Sequence, residues 1–152
     1  MFIMEAIIFI GIQGAGKSTF FKSCFFNTHI RINLDMLKTR NREKIIFHAC
    51  LEAKQRFVID NTNPTVEDRQ RYIPLAKANN FRVIGYYFDV KLEDCKKRNQ
   101  KRPPKQVIPL PGILATYKKM TPPTWEEGFD AIYSVKNYLN KPFVVEEWLR
   151  EI

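Results

Sequence analysis

Apolar positions along the chain fall into short runs separated by longer amphipathic stretches. Residues 6–10 are continuously apolar and rich in Ile and Phe, then a Gly-rich loop follows, then helical spacing over 20–26. That order predicts strand, loop, helix. Residues 29–33 alternate and predict a second short strand, and 34–56, charged and free of Pro and Gly, predict one long helix. A third strand is expected over 56–60, a helix over 65–79 ended by Asn79-Asn80, and a fourth strand over 81–88. Helical spacing resumes over 91–102 until Pro103-Pro104 breaks it, returns over 110–120, and stops again at Pro122-Pro123. A fifth apolar run occupies 131–135, and a last helix is expected around 144–150, although Tyr138, Phe143, Val144, Val145, Trp148 and Leu149 equally fit a packed strand or an oligomer contact. Strands alternating with helices predict an α/β fold of three layers, α/β/α, around a mostly parallel five-stranded sheet. Ligands of such sheets bind beyond the carboxyl ends of the strands, so residues 11–18, Asp35, residues 60–63 and Asp89 carry most of the functional weight.

The strongest chemical signal is Gly11-Ile-Gln-Gly-Ala-Gly-Lys17-Ser18-Thr19, placed between the first strand and the first helix. Its spacing is that of a phosphate-binding loop. Glycines let backbone N–H groups close around phosphates, the helix N-terminus adds partial positive charge, the lysine bridges phosphates, and the serine hydroxyl ligates magnesium. Gly11, Gln13, Gly14, Ala15, Gly16, Lys17, Ser18 and Thr19 are therefore the expected nucleotide cradle, with ATP and Mg2+ as cofactors.

Two carboxylates complete this chemistry. Asp60 ends the third strand, where an acid orients the metal shell and holds the loop hydroxyl, so Ser18 and Asp60 are the expected metal-side pair, although a strand-end Asp can also cap the turn-rich segment 61–64. Asp35 follows the second strand; from spacing alone it is equally a base that takes a proton from an attacking hydroxyl or the N-cap of the next helix. Asp89 reads as the cap of the helix after the fourth strand. Residues 91–105 hold seven basic side chains against Glu93 and Asp94. A charge run is ordinarily a solvated helix face, but a basic helix broken by Pro-Pro at this place is also where phosphoryl-transfer enzymes carry a lid, here over about 91–110; Arg98 and Arg102, one helical turn apart, share a face, and at least one of them is expected in the active site.

A chain of 152 residues is expected to form a single domain, with residues 136–152 as an extension beyond the fifth strand. The 25 basic and 16 acidic residues leave a net charge of +9, which favours a polyanionic partner but speaks to affinity rather than chemistry. Cys24, Cys50 and Cys95 are odd in number and far apart, which argues against a disulfide framework or zinc site and for a cytoplasmic protein. The apolar first twelve residues carry Glu5 and lack a basic leader, so they read as a buried strand rather than an export signal or membrane anchor.

Taken together, these motifs resemble the kinase domain of the polynucleotide 5′-hydroxyl kinase family, found in phage enzymes fused to a phosphatase and in animal counterparts. The likeness runs over roughly residues 5–135 and rests on GIQGAGKST at 11–19, Asp35, VIDNTNPTVEDR at 58–69, KRNQKRPPKQVIP at 97–109 and PTWEEGFDAI at 123–132. It implies that Asp35 is the general base for a ribose 5′-hydroxyl, and that Arg102 and Arg98 are lid arginines on the donor phosphates. The family places an arginine three residues after the base, on the acceptor phosphate; this chain has Lys38, which keeps the charge but not the bidentate fork. No Asp-x-Asp phosphatase motif follows, so processing of 3′ ends is not expected from this polypeptide. The leading expectation is ATP-dependent transfer of the γ-phosphate to a 5′-hydroxyl end of DNA or RNA, in the service of nucleic-acid repair. Its alternatives are a small-molecule or nucleotide-sugar kinase on the same fold and a nucleotide-binding switch without turnover.

Overall fold

The computed structural model describes residues 4–150. Six strands, β1 (Glu5–Ile10), β2 (Ile30–Ile32), β3 (Phe57–Ile59), β4 (Arg82–Phe88), β5 (Ala131–Lys136) and β6 (Val144–Glu147), form one sheet in the order β2-β3-β1-β4-β5-β6. The first five are parallel and β6 joins β5 antiparallel. Among the described residues seven α-helices lie between them: α1 (Lys17–Cys24), α2 (Leu34–Leu37), α3 (Arg40–Ala53), α4 (Val66–Gln70), α5 (Ile73–Ala78), α6 (Leu92–Gln100) and α7 (Leu110–Lys119).

The period-two side-chain alternation of a strand sorts the core into two layers. Ala6, Ile8 and Ile10 of β1, with Phe57 and Ile59 of β3, pack against Phe47, Cys50 and Leu51 of α3 and Ile73 and Ala76 of α5. Ile7, Phe9 and Val58 face the opposite way, onto Phe20 and Phe21 of α1, Cys95 of α6 and Ile113 of α7. On that second face Phe9 meets Phe20 at 5.8 Å and Phe88 at 5.2 Å between ring centroids, and Phe20 meets Phe143 at 5.2 Å. Tilted and edge-on aromatic pairs each add about 0.5–1.5 kcal/mol beyond their burial, so α1 is firmly seated beneath the loop that precedes it.

The expected α/β class holds, with four local differences. The helix expected over 34–56 is divided, because Lys38 turns the chain at φ 76° and the Thr39 side chain accepts from Arg42 N to start α3 afresh. The helix over 65–79 is divided because Pro74 has no N–H to donate and its ring clashes with the preceding turn. The segment 144–150 is not a helix: the β-branched Val144-Val145 pair extends into β6 and registers Val145 against Val135, giving a sixth strand. Its exposed Glu146 and Glu147 put charge on the sheet edge, which discourages further strand addition. Finally, Asp89 does not cap α6, whose N-cap is Lys91; the Asp89 carboxylate instead lies 3.5 Å from Lys136 Nζ.

Candidate active site

Chain order reverses between β1 and β3, so the loops leaving their carboxyl ends diverge and open a crevice there. The two loops are stitched together by Gly11 N–H donating to the Thr62 carbonyl at 3.0 Å. Within the first loop Gly14 and Gly16 take φ of 81° and 98°, conformations that suit glycine. A side chain at Gly16 would also collide with the Asn137 amide. That amide donates to the Ala15 carbonyl at 3.0 Å, and the Arg98 guanidinium donates to the Gly14 carbonyl at 3.2 Å and to the Asn137 carbonyl. The loop is thus braced from outside by residues from α6 and the end of β5. Gly14, Gly16 and the first turn of α1 line the crevice, the arrangement that binds phosphate.

Lys17 begins α1 and folds its Nζ back to donate to the carbonyls of Gly11 and Ile12, at 2.9 and 2.8 Å. Burial pulls its pKa down from 10.5 to about 8; the Asp60 carboxylate opposes the drop and the nearby Arg102 adds to it. An ammonium with a lowered pKa and, among the described residues, no carboxylate in hydrogen-bonding contact is poised to gain from an incoming polyanion.

Ser18 Oγ donates to Asp60 Oδ2 at 3.3 Å. Arg31 joins the same two oxygens, its Nε donating to Asp60 Oδ2 at 2.7 Å and its Nη2 to Ser18 Oγ at 2.9 Å. The Asp60 side chain is 1% exposed, so a carboxylate held there is paired with the guanidinium rather than hydrated. This oxygen pair already receives a cation, which is the chemical test that a magnesium site must pass. Among the described residues no group of three or more His, Cys, Asp or Glu is placed to hold a metal ion. An ion at Ser18 and Asp60 would therefore complete its shell with nucleotide phosphates and water, as Mg2+ prefers.

Across the crevice Asp35 lies in the first turn of α2, exposed and facing the cavity. It is not the N-cap. That position belongs to Asn33, whose Oδ1 accepts from Met36 N at 2.9 Å while its Nδ2 donates to the Asp60 carbonyl at 2.6 Å. The start of α2 is fixed a second time by Asn61, whose Oδ1 accepts from Leu34 N at 2.8 Å and whose Nδ2 donates to Glu43 Oε2 at 2.8 Å. Glu43 in turn takes the Tyr72 hydroxyl at 2.9 Å and Arg40 at 2.8 Å. Burial, reinforced by the Glu43 charge, pushes the Tyr72 phenol up to about 12, so it stays a donor. The backbone that carries Asp35 is rigid, and its carboxylate is held by no hydrogen bond among the described residues. Lys38, the C-cap of α2, is exposed at the same cavity; Arg40 is engaged with Glu43.

On the lid side, Asn99 and Ile108 exchange two hydrogen bonds of 2.8 and 2.9 Å, closing the loop that joins α6 to α7. Arg102 lies within that loop and lines the cavity beside Lys17, whereas Arg98 points to the outside of the phosphate loop. Gln13 Nε2 donates to Thr116 Oγ1 at 3.1 Å and couples the loop to α7. Burial raises the Cys95 thiol to about 11, so it is a packing group and not a nucleophile.

These elements enclose a cleft of about 1230 Å³. Of the expected cradle, Gln13, Gly14, Gly16, Lys17, Ser18 and Thr19 line it, while Gly11 and Ala15 support it from behind; Asp35, Lys38, Asp60 and Arg102 line it too. Sequence reasoning missed Arg31, Asn33 and Asn137. Arg31 had a signal in the alternation Ile30-Arg31-Ile32, which turns it to the face that carries α1, and Asn137 had one in its place just past β5. Phe26 and Met36, 67% and 52% exposed, add an apolar stretch to the same cleft.

A sequence family described as an AAA domain matches residues 37–121, over half of the chain, beginning beyond the phosphate loop. The chain is 33% identical over 96% of its length to a protein of Acanthamoeba polyphaga mimivirus named as a bifunctional polynucleotide phosphatase/kinase. It is 27% identical over 86% of its length to the bifunctional polynucleotide phosphatase/kinase of Schizosaccharomyces pombe. It spans about a third of the length of these relatives, 37% and 33%. In fold it is similar to a gluconokinase from Sinorhizobium meliloti 1021, with a TM-score of 0.60 at 13% identity, over 93% of this chain and 86% of that one. Among the described residues no helix is long and apolar enough to cross a membrane.

Proposed function

Because the chain belongs to the AAA domain family and is of the P-loop kinase type, we propose that it transfers the γ-phosphoryl group of ATP to a 5′-hydroxyl end of DNA or RNA. The observation that carries this reading is the placement of Asp35, an unengaged carboxylate on a rigidly anchored backbone, across the cleft from Lys17. A nucleotide-binding switch has no use for a base aimed at an acceptor. The names of the mimivirus and fission-yeast relatives support a polynucleotide as that acceptor, and the net charge of +9 is in keeping with it.

In this mechanism the loop amides and Lys17 hold the β- and γ-phosphates, with Lys17 exchanging the Gly11 and Ile12 carbonyls for phosphate oxygens. Ser18 and Asp60 would hold Mg2+, which on binding supplies charge neutralisation across the phosphates. Asp35 accepts the proton of the 5′-hydroxyl as its oxygen bonds to the γ-phosphorus. The bond from that phosphorus to the β,γ-bridging oxygen breaks, and ADP leaves with the electron pair. Arg102 stabilises the charge that develops on the transferred group, a contribution of roughly 10³–10⁵ for a well-placed arginine. Lys38 contacts the acceptor phosphate as a point charge, without the planar fork of an arginine.

The test is transfer of label from γ-labelled ATP with Mg2+ to 5′-hydroxyl oligonucleotides, beside nucleosides, sugars and sugar nucleotides. Label on the oligonucleotide, lost in Asp35→Asn and Lys17→Ala, is the expected result. Label on a small molecule alone would overturn it, and nucleotide binding without any transfer would return the chain to the switch class.

A further inference from the structure

A hydroxyl, a carboxylate and a guanidinium meet at one point of the nucleotide cleft, and only the first two belong to the reaction described above. Ser18 Oγ and Asp60 Oδ2 lie 3.3 Å apart, and the third group, the Arg31 guanidinium, donates to both. A divalent ion bound to the serine oxygen, with its water shell held by the aspartate, draws on the same two side chains, and on Ser18 Oγ and Asp60 Oδ2 the guanidinium is already seated. Arg31 and the ion therefore compete for them.

We infer that Arg31 is a resident substitute for the metal: it neutralises the metal-side pair while the cleft is empty and gives way when Mg2+ arrives with nucleotide. Three features of the molecule support this assignment. The Asp60 side chain is 1% exposed, so without a cation it would be a buried, uncompensated charge. Arg31 sits on the edge strand β2 with its side chain 28% exposed, so the guanidinium has solvent to move into once displaced. The Asp60 backbone does not depend on Arg31, because its N–H donates to Ile32 O at 2.8 Å and its carbonyl accepts from Asn33 at 2.6 Å. A change of cation can therefore leave the carboxylate where it is. Arg31 is a positioning residue in this scheme and touches no reacting atom.

The inference rests on the reading of Ser18 and Asp60 as the metal-side pair, and it does not depend on which acceptor is phosphorylated. Its consequence is that free metal binds the nucleotide-free protein poorly because a cation is already in place. Removing that cation should expose the site. The experiment measures Mn2+ binding to the nucleotide-free protein by electron paramagnetic resonance, and thermal unfolding with EDTA, Mg2+, ADP or ADP with Mg2+, for the wild type, Arg31→Met and Arg31→Lys. In EDTA the Arg31→Met protein should unfold at least about 2–4 °C lower than the wild type, the scale on which a modest loss of stability moves a domain of this length. Mg2+ alone should recover most of that loss while leaving the wild type unmoved. Mn2+ should bind Arg31→Met about tenfold more tightly, with Arg31→Lys between the two because one ammonium reaches two oxygens less well than the fork.

Equal Mn2+ affinity in wild type and both variants would overturn the inference, as would an unfolding temperature that responds to Mg2+ identically in all three. If Arg31→Met does not fold, the wild-type and Arg31→Lys comparison decides by the same criterion. Failure of the parent reading looks different: ADP with Mg2+ would then stabilise none of the proteins, whereas failure of this inference alone leaves that stabilisation intact.

Discussion

Asn61 holds Leu34: its side-chain oxygen accepts a 2.8 Å hydrogen bond from the Leu34 amide, one residue before Asp35, while its amide donates to Glu43. Through this pair the segment after β3 sets the position of the helix after β2, and the metal-side and acceptor-side carboxylates are mounted on one frame. Asn61→Ala should lower kcat by about 10- to 100-fold through a small displacement of Asp35, with nucleotide affinity nearly unchanged. Steady-state kinetics alongside equilibrium binding of a fluorescent ATP analogue separates the two. A fall in affinity of the same size would place Asn61 with the donor instead.

The state of Lys17 has a pH signature. Burial first, then the Arg102 charge, hold its pKa near about 8 in the free protein, against Asp60. Bound phosphates favour the ammonium, so nucleotide binding takes up a proton above about pH 8 and affinity falls as pH rises through that value. For folding the sign is opposite. A depressed lysine pKa means that the unfolded chain binds more protons between about 8 and 10.5, so the nucleotide-free protein gains stability from this group across that window. Calorimetric titration in buffers of different ionisation enthalpy measures the uptake, and Lys17→Met should abolish it.

Arg69 and Glu127 form a buried pair that fastens the segment after β3 to the turn before β5. Their side chains are 0% and 2% exposed, with contacts of 2.6 and 3.1 Å, and Arg69 also donates to the carbonyls of Asn63 and Thr121. Arg69→Met should cost about 3–5 kcal/mol, because it leaves Glu127 buried without its counter-charge. Adding Glu127→Gln should recover part of that cost. Urea denaturation of the single and double variants checks both; a double variant less stable than Arg69→Met would mean that the Glu127 charge matters mainly to Thr124, whose N–H it accepts at 2.8 Å.

Much of this architecture was legible in the chain. The continuous apolar run at 6–10 and the β-branched and aromatic stretch at 81–88, both short and followed by turn residues, read as strands of a covered sheet, and Gly11 to Ser18 between a strand and a helix leaves one reading of the crevice. What was not legible depended on side chains meeting across long separations. Arg31 and Asp60 are 29 residues apart, Gln13 and Thr116 are 103 apart, and Asn137 reaches Ala15 over 122. Periodicity within a segment carries no record of such partners. The division of 34–56 was hidden for a different reason: Lys38 at positive φ is a conformation that sequence assigns to Gly or Asn, and here the contacts of α2 and α3 override local preference. At 144–147 Val-Val-Glu-Glu has no distinguishing period, so sequence leaves helix and strand both open, and its partner β5 decides the matter.

Arg98 and Arg102, one turn apart and alike in the motif, separate by what they touch. Arg98 is bound to the Gly14 and Asn137 carbonyls and braces the outside of the loop, whereas Arg102 lines the cleft with Lys17. Arg98→Ala should therefore loosen the loop, weakening nucleotide binding by about tenfold and lowering stability by about 1–3 kcal/mol through two backbone carbonyls left without their donor. Arg102→Ala should leave stability within about 0.5 kcal/mol, since it ends no bond in the folded protein, and should reduce kcat by roughly 10³-fold or more if it meets the transferred phosphoryl group. Arg102→Lys should restore only part of that rate, because an ammonium cannot span two phosphate oxygens as a guanidinium does. Binding, unfolding and turnover measured on the three variants assign the roles independently. If Arg98→Ala lowers kcat with affinity and stability intact, then the brace opens on nucleotide binding and Arg98 joins Arg102 at the phosphates.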